Sequence, residues 1–200
     1  MTERWRCFIA LPLPDGVRSE LTDVVDSWRD EPHAPDLRWT DPAGWHLTLA
    51  FLGWIDAGIA AEVLEKCAAP ARRAQPSALP AGGLGAFPSP RRARVLWYRL
   101  TDEVGAATAL AAEIRRVLAP LVPRVEEGSP FRPHVTLARA RAERGTDLTT
   151  WIAGRAVPSG VVLVERVILY RSHLGRGPAH YEPLGAVTVG TGAAEASVHG

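Results

Sequence analysis

The sequence predicts an α+β fold in which two pseudo-symmetric lobes, each with an antiparallel sheet, surround a central cleft. Strand patterns and amphipathic helix patterns follow one another along the chain, and each half contains one long helix. The two halves also share a segment: Trp45–Ala50 and Pro133–Ala138 both contain His, an aliphatic residue, Thr, Leu and Ala in that order. A length of 200 residues fits one bilobal domain over residues 1–190. The small and polar residues 191–200 are predicted to be a disordered tail.

The first half contains three predicted strands and two predicted helices. The apolar run Cys7–Leu13 is typical of a buried strand, and the apolar spacing that follows predicts an amphipathic helix over about Asp15–Arg29. Arg38–Thr40 and Trp45–Leu52 are predicted strands. Asp56 is predicted to cap the next helix, since its carboxylate can accept a hydrogen bond from a free backbone N–H.

The second half repeats this alternation. Leu79–Phe87 and Arg94–Leu100 are predicted to form a hairpin around a proline-rich turn. A helix is predicted next, from residues at helical spacing: Val104, Leu110, Ile114, Val117 and Leu118. Phe131–Ala140 and Val161–Tyr170 are further predicted strands, and Tyr181–Val189 is a last extended segment.

Composition and charge narrow the class of protein. The chain is 46% hydrophobic with a net charge of +1, which argues against a broad nonspecific nucleic-acid surface but allows a local basic cleft. Cys7 and Cys67 lack metal-ligand spacing, so we expect buried thiols in a reducing compartment. No signal peptide or membrane-spanning run is evident. These features predict a cytoplasmic protein without a membrane partner.

The repeated segment carries the chemistry. Side chains alternate between the two faces of a strand, so His, Thr and Ala of each copy are predicted to share one face: His46, Thr48 and Ala50 in the first copy, and His134, Thr136 and Ala138 in the second. Such a face suits the floor of a cleft better than a core. A pseudo-twofold relation between the lobes would bring the two His-x-Thr faces together.

Two imidazoles and two hydroxyls suit phosphodiester hydrolysis. One imidazole can take a proton from water while the other gives a proton to the leaving oxygen, because the unperturbed pKa of histidine lies near ~6.5. The threonine hydroxyls can donate hydrogen bonds to phosphate oxygens. A single strand histidine is more often structural, but two matching copies favour catalysis. A metal site is the weaker alternative, because no carboxylate or cysteine has suitable spacing.

The paired motifs resemble those of the two-histidine (2H) phosphoesterases, and most closely those of the RNA 2',3'-cyclic phosphodiesterases, also known as 2'-5' RNA ligases. The resemblance spans about residues 4–187 and includes a first strand, both histidine motifs, a central hairpin and a closing segment that contains Tyr170 and Tyr181. It implies two α+β lobes around a cleft. It also implies hydrolysis of RNA 2',3'-cyclic phosphate ends to 2'-phosphates and 2'-5' joining of RNA ends, with no metal or nucleotide cofactor.

The resemblance also implies roles for individual residues. His46 would be the general acid and His134 the general base, while Thr48 and Thr136 would hold the phosphate. An Arg at the position of Arg139 would lie near the phosphate, and a Phe at the position of Phe51 would stack on a base. Strand alternation, however, puts Phe51 and Arg139 on the face opposite the histidines, so each strand must end or twist there for them to contribute.

The sequence leaves open the roles of several other residues near the motifs. Arg132 is a candidate substrate-binding residue, and the basic cluster Arg91, Arg92 and Arg94 is equally compatible with steering of RNA and with a solvated loop. Structural roles are favoured for His173 and His180. We expect a monomer. The alternatives are a 2H enzyme for small cyclic phosphates or 2'-5' oligoadenylates, and a noncatalytic module that binds RNA ends.

Overall fold

A computed structural model of the protein describes residues 3–32, 34–122, 125, 130–173, 175 and 179–190. The predicted disordered tail, 191–200, lies outside the described residues. The strands are β1 (Arg4–Pro12), β2 (Leu37–Trp39), β3 (His46–Asp56), β4 (Ala78–Phe87), β5 (Val95–Leu100), β6 (His134–Ala140), β7 (Val161–Leu163), β8 (Arg166–His173) and β9 (His180–Thr188). The helices are α1 (Asp15–Trp28), α2 (Ala60–Arg73), α3 (Ala106–Leu118) and the short α4 (Thr149–Ile152).

The strands follow one antiparallel path, β7-β4-β5-β6-β3-β1-β8-β9, with β2 added on β6. The predicted α+β class is confirmed. The middle of this path is a narrow seam, where β3 and β6 pair through Leu47 and Val135. The strands of both lobes therefore belong to one curved sheet. β3, β1 and β8 lie on one side of the seam, and β6, β5 and β4 lie on the other.

The two sides share the same strand register. In the first half, Ile9 lies opposite Ala50 and Ala10 opposite Thr48, so Leu49 is an extra residue in β3. In the second half, Leu96 lies opposite Ala138 and Trp97 opposite Thr136, so Leu137 is an extra residue in β6. Each extra residue forms a β-bulge, which bends the strand and shifts its side-chain alternation by one position. The repeated sequence thus produces a repeated irregularity of the backbone.

The three long helices supply one apolar face each to the core. Buried side chains recur at helical spacing, for example Leu21 and Val25 on α1, Leu110 and Ile114 on α3, and Cys67 on α2. Complete burial of such a side chain contributes roughly 1.5–3 kcal/mol. Cys7 is also fully buried, so both thiols are core residues, as predicted. Within the described ranges, no helix is long and apolar enough to cross a bilayer.

Several predicted boundaries differ from the structure. The predicted strand Val161–Tyr170 is two strands, because β7 pairs with β4 in one half and β8 pairs with β1 in the other, so the chain must leave one neighbour to reach the next. The predicted strand Phe131–Ala140 begins only at His134. The strand predicted to end at Leu52 continues to Asp56, past Gly53, which has a φ of 67°.

The helix boundaries differ as well. Asp56 accepts a hydrogen bond from the Gly58 amide at 2.9 Å, so it caps a 3-10 turn that leads into α2 and not the helix itself. Val104 precedes α3 and is 79% exposed, since the helix begins after Gly105, whose φ of 71° is left-handed. The hairpin β4–β5 and the helix α1 are close to their predicted positions.

Candidate active site

A cleft of about 590 Å³ opens where β3 and β6 meet. Both histidine motifs face it, so the structure brings together His46, Thr48, His134 and Thr136, as the sequence predicts. The other residues that line the cleft are Arg6, Phe8, Arg38, Trp39, Thr40, Asp41, Gly44, Trp45, Phe51, Arg139, Gly175, Ala179 and Tyr181. These come from both halves of the sheet, from the β2–β3 connection and from the residues between β8 and β9.

The two histidines are held in the same way. His46 Nδ1 lies 2.6 Å from the Gly44 carbonyl oxygen, and His134 Nδ1 lies 2.6 Å from the Arg132 carbonyl oxygen. A carbonyl oxygen can only accept, so Nδ1 must be the donor in both rings. Each neutral ring therefore keeps its lone pair on Nε2. That lone pair can accept a proton, and a protonated Nε2 can donate one.

Different aromatic groups surround the two imidazoles. The Phe8 ring stacks on His46 at 4.5 Å, and Tyr181 meets His46 edge-on at 5.1 Å. In the other half, Phe87 and Trp97 meet His134 edge-on, at 5.1 and 5.8 Å. These apolar rings shield part of each imidazole from water.

This environment lowers the pKa of both histidines. Burial lowers the pKa of His46 to about 4, against an opposing effect of the Gly44 hydrogen bond, and the charge of His134 lowers it further. Burial also lowers the pKa of His134, and the positive charge of Arg139 adds to this. Both rings are therefore neutral at pH 7.

The β-bulges decide which residues follow Thr48 and Thr136 on the cleft face. The prediction that Ala50 and Ala138 share this face is wrong, since both are fully buried. Each bulge moves the alanine into the core and moves the next residue onto the cleft face, so Phe51 and Arg139 line the cleft. Strand alternation alone would put Phe51 and Arg139 on the opposite face. The bulges in β3 and β6 bring both residues to the face of the histidines.

The cleft is positively charged. Its lining contains the guanidinium groups of Arg6, Arg38 and Arg139, and among the described lining residues Asp41 is the only carboxylate. Asp41 accepts a hydrogen bond from the Ala43 amide at 2.9 Å, which caps the turn before Trp45. Arg6 lies over the Phe51 ring at 4.4 Å. The lining therefore suits an anion, and the hydroxyls of Thr48 and Thr136 in the same lining can donate hydrogen bonds to it.

Sequence reasoning missed several residues of the site. Phe8 and Arg38 lie in predicted strands without any motif that marks them. Tyr181 packs on Gly44, where an added Cβ would lie 2.9 Å from its ring, so Tyr181 supports the turn whose carbonyl orients His46. The resemblance of the closing segment was a signal for Tyr181, which had no assigned role.

Other candidates lie outside the cleft lining. The Arg132 guanidinium lies 5.9 Å from the Phe87 ring, and its backbone carbonyl is the group that orients His134. Arg91 and Arg92 are exposed on the β4–β5 turn, and Arg94 donates to the Glu143 carbonyl at 2.8 Å. None of these four side chains contacts the two histidines in the described part of the chain.

His173 and His180 lie opposite each other at one end of the β8–β9 pair, and neither belongs to the cleft lining. His173 Nε2 lies 2.8 Å from a Glu182 carboxylate oxygen. Within the residues that the structure describes, no group of three His, Cys, Asp or Glu side chains is placed to hold a metal ion.

Comparison with known proteins identifies a matching family and several relatives. A family model described as LigT like Phosphoesterase matches residues 11–97. The chain is 31% identical to an RNA 2',3'-cyclic phosphodiesterase of Aeropyrum pernix over 152 residues, which cover 74% of this chain and 84% of that protein. It is 28% identical to an RNA 2',3'-cyclic phosphodiesterase of Geobacillus stearothermophilus over 92% of this chain, yet it spans only 57% of that relative's own length.

The fold is also similar to that of solved structures. The crystal structure of the protein TT0787 of Thermus thermophilus superimposes with a TM-score of 0.73 at 27% identity, over 94% of this chain and 99% of that one. The similarity in fold thus extends over both halves of the sheet.

Proposed function

The chain belongs to the LigT-like phosphoesterase family. We propose that it hydrolyses 2',3'-cyclic phosphate ends of RNA to 2'-phosphates. The observation that carries the proposal is the pair of equivalent imidazoles, each with its Nδ1 bound to a backbone carbonyl and its Nε2 left for the cleft. The names of the Aeropyrum and Geobacillus relatives support the choice of substrate.

In the proposed reaction, a water oxygen attacks the cyclic phosphorus as His134 Nε2 takes the water proton. The bond from phosphorus to the 3' oxygen breaks, and His46 Nε2 gives that oxygen its proton. The products are a 2'-phosphate and a 3'-hydroxyl, and the two rings recover their starting protonation through solvent. Each proton transfer of this kind contributes about 10²–10⁴-fold to the rate.

The general acid must carry a proton before it can give one. Burial lowers the pKa of His46 to about 4, and a bound phosphate anion favours the charged form of a nearby imidazole. We therefore propose that His46 takes up its proton together with the substrate. His134 starts neutral, as a base must, and the charge of Arg139 helps to keep it so.

The remaining residues bind the substrate in this proposal. The hydroxyls of Thr48 and Thr136 donate to the non-bridging phosphate oxygens, where charge develops in the transition state. The terminal base stacks on Phe51, and Arg139 neutralises phosphate charge. A 5'-hydroxyl of a second RNA in the place of water would form a 2'-5' linkage by the same steps. Side chains of this chain perform every one of these steps, so activity in EDTA is expected.

The test is hydrolysis of a short RNA that ends in a 2',3'-cyclic phosphate, followed by phosphorus NMR in the presence of EDTA. Wild-type protein should produce the 2'-phosphate, and His46→Ala and His134→Ala proteins should lose orders of magnitude in rate. His173→Ala is the matched control, because that histidine lies outside the cleft lining. Binding without turnover would support the noncatalytic module, and turnover of small cyclic nucleotides alone would support the other 2H activities.

A further inference from the structure

Two arginines stand side by side at the edge of the cleft. In the β2–β6 pair, Arg38 lies directly opposite Arg139. Directly opposed residues of an antiparallel pair project from the same face of the sheet, with Cβ atoms about 4.5–5.5 Å apart. The bulge at Leu137 puts Arg139 on the cleft face, so Arg38 is on that face too, and both line the cleft.

Opposed like charges destabilise a sheet unless something neutralises them. Among the described residues, no carboxylate forms a salt bridge with Arg38 or Arg139, whereas arginines elsewhere, such as Arg155 with Glu31, are paired in this way. The Asp41 carboxylate of the lining caps its own turn. The pair is therefore a place for an anion that comes from outside the chain.

The position of the pair defines which anion it meets. The hydroxyls of Thr48 and Thr136 and the two imidazoles already surround the space for the reacting phosphate. Arg139 is three residues beyond Thr136 on β6, and Arg38 is on β2, which pairs with the same edge of β6 as β3 does, past the Leu47–Val135 pair. Phe51 occupies the position equivalent to Arg139 in the other half, where it offers a ring to a base. The two equivalent positions thus offer a ring on one side and paired guanidinium groups on the other.

We infer that Arg38 forms a second phosphate subsite beside Arg139 and binds the 5'-phosphate of the terminal nucleotide there, while Arg139 contacts both this phosphate and the reacting one. This inference rests on the proposed function and specifies its substrate class: cyclic ends of RNA chains, in preference to cyclic mononucleosides that lack this phosphate. The terminal ribose spans the two subsites, with its cyclic phosphate between the histidines and its base toward Phe51. Arg38 acts here as a binding residue and takes no part in proton transfer.

The experiment compares kcat/KM for three substrates: a dinucleotide with a 2',3'-cyclic phosphate end, the same dinucleotide with a neutral methylphosphonate linkage, and adenosine 2',3'-cyclic phosphate. Wild-type protein should prefer the charged dinucleotide by about ten- to hundredfold, the factor that a charge-assisted contact supplies. Arg38→Met should lose most of this preference. Arg72→Met, which changes an exposed arginine at the end of α2, should retain it.

Equal kcat/KM for the charged and neutral dinucleotides in wild-type protein would overturn the inference while the proposed function stands. So would an Arg38→Met protein that retains the preference, or one that loses activity equally on all three substrates, since Arg38 would then act on the reacting phosphate. A wild-type protein that hydrolyses none of the three overturns the proposed function and this inference with it. The methylphosphonate arm needs no variant, so it holds even if Arg38→Met folds poorly.

Discussion

The two halves of the sheet share a strand register around their histidines but surround those histidines with different side chains. β1 and β3 pair in the same register as β5 and β6, and both pairs contain a bulge at the leucine after the threonine. The shared backbone places His46 and His134 alike. The side chains then make the two rings unequal, as the proposed reaction with one acid and one base requires.

One difference lies in the strands next to the two threonines, at the residues opposite Thr48 and Thr136. The position of Ala10 in β1 corresponds to that of Trp97 in β5, and their outer neighbours are Ile168 in β8 and Gly85 in β4. A small residue thus pairs with a large one in the first half, and a large residue pairs with glycine in the second. A Cβ on Gly85 would lie 2.3 Å from the Trp97 ring, so this exchange requires the glycine.

A second difference lies beside the rings. Phe8 stacks on His46, whereas the corresponding position in β5 is Val95. Burial lowers the pKa of His46 to about 4, and it lowers that of His134 as well. A repeated strand register can thus place two imidazoles in the same way, while the side chains next to each imidazole determine its pKa separately.

Removal of either imidazole should have the largest effect. His46→Ala and His134→Ala should each lower kcat by about 10²–10⁴-fold on a cyclic phosphate substrate. The double variant should lose little more than either single variant, because residues that act as a unit are not additive. Steady-state kinetics of the three proteins would measure this. Fully additive losses would show that the two halves act independently.

Loss of a threonine hydroxyl should have the next largest effect. Thr48→Val and Thr136→Val should each lower kcat by about 10²-fold, since each removes one donor to the charge that develops in the transition state. Thr22→Val is the control, because that hydroxyl donates to the Arg18 carbonyl within α1 and Thr22 does not belong to the cleft lining. A change in KM alone would assign the hydroxyls to substrate binding.

Gly85→Ala should destabilise the packing of the second half of the sheet and leave that of the first half unchanged. The added methyl meets the Trp97 ring, so we expect a loss of about 1–3 kcal/mol in the free energy of unfolding. Urea denaturation would measure it. Gly16→Ala, where no atom lies within 4 Å of an added Cβ, should change the value by less than about 1 kcal/mol. An unchanged stability in Gly85→Ala would mean that Trp97 moves freely.

Acid should destabilise the fold through His46. Because the pKa of His46 is about 4 in the folded protein and about 6.5 in the unfolded chain, the unfolded chain binds more protons between these values. The free energy of unfolding should therefore fall as pH falls from 6.5 to 4, by on the order of 2 kcal/mol from this group. Urea denaturation of His46→Gln protein should show a smaller fall. An identical fall in both proteins would contradict the lowered pKa.

Much of this site could be predicted from sequence, because the repeated His-x-Thr segments carry both the strand pattern and the chemistry. The bulges could not be predicted from alternation alone. Their only trace is the pair of consecutive apolar residues in each copy, Leu49-Ala50 and Leu137-Ala138, which a regular strand with one polar face would not contain. Both residues of each pair are buried, and the cleft face resumes one residue later.

The break between β7 and β8 has a different reason. Its apolar pattern continues across Val164, but the strands on either side of it pair with opposite halves of the sheet. Which neighbour a strand finds is a tertiary property that no local pattern records. Arg38 was missed for the same reason, since its importance depends on the residue opposite it in β6.

The carbonyl that orients each imidazole belongs to the residue two positions before it in the chain. Each histidine therefore brings its own orienting group within a three-residue stretch and needs no partner side chain from another strand. Such a unit is portable: a designer could transfer it to the start of an edge strand in an unrelated sheet and retain the orientation of Nε2. The designer would still have to build the apolar surroundings of the ring, because these determine its pKa.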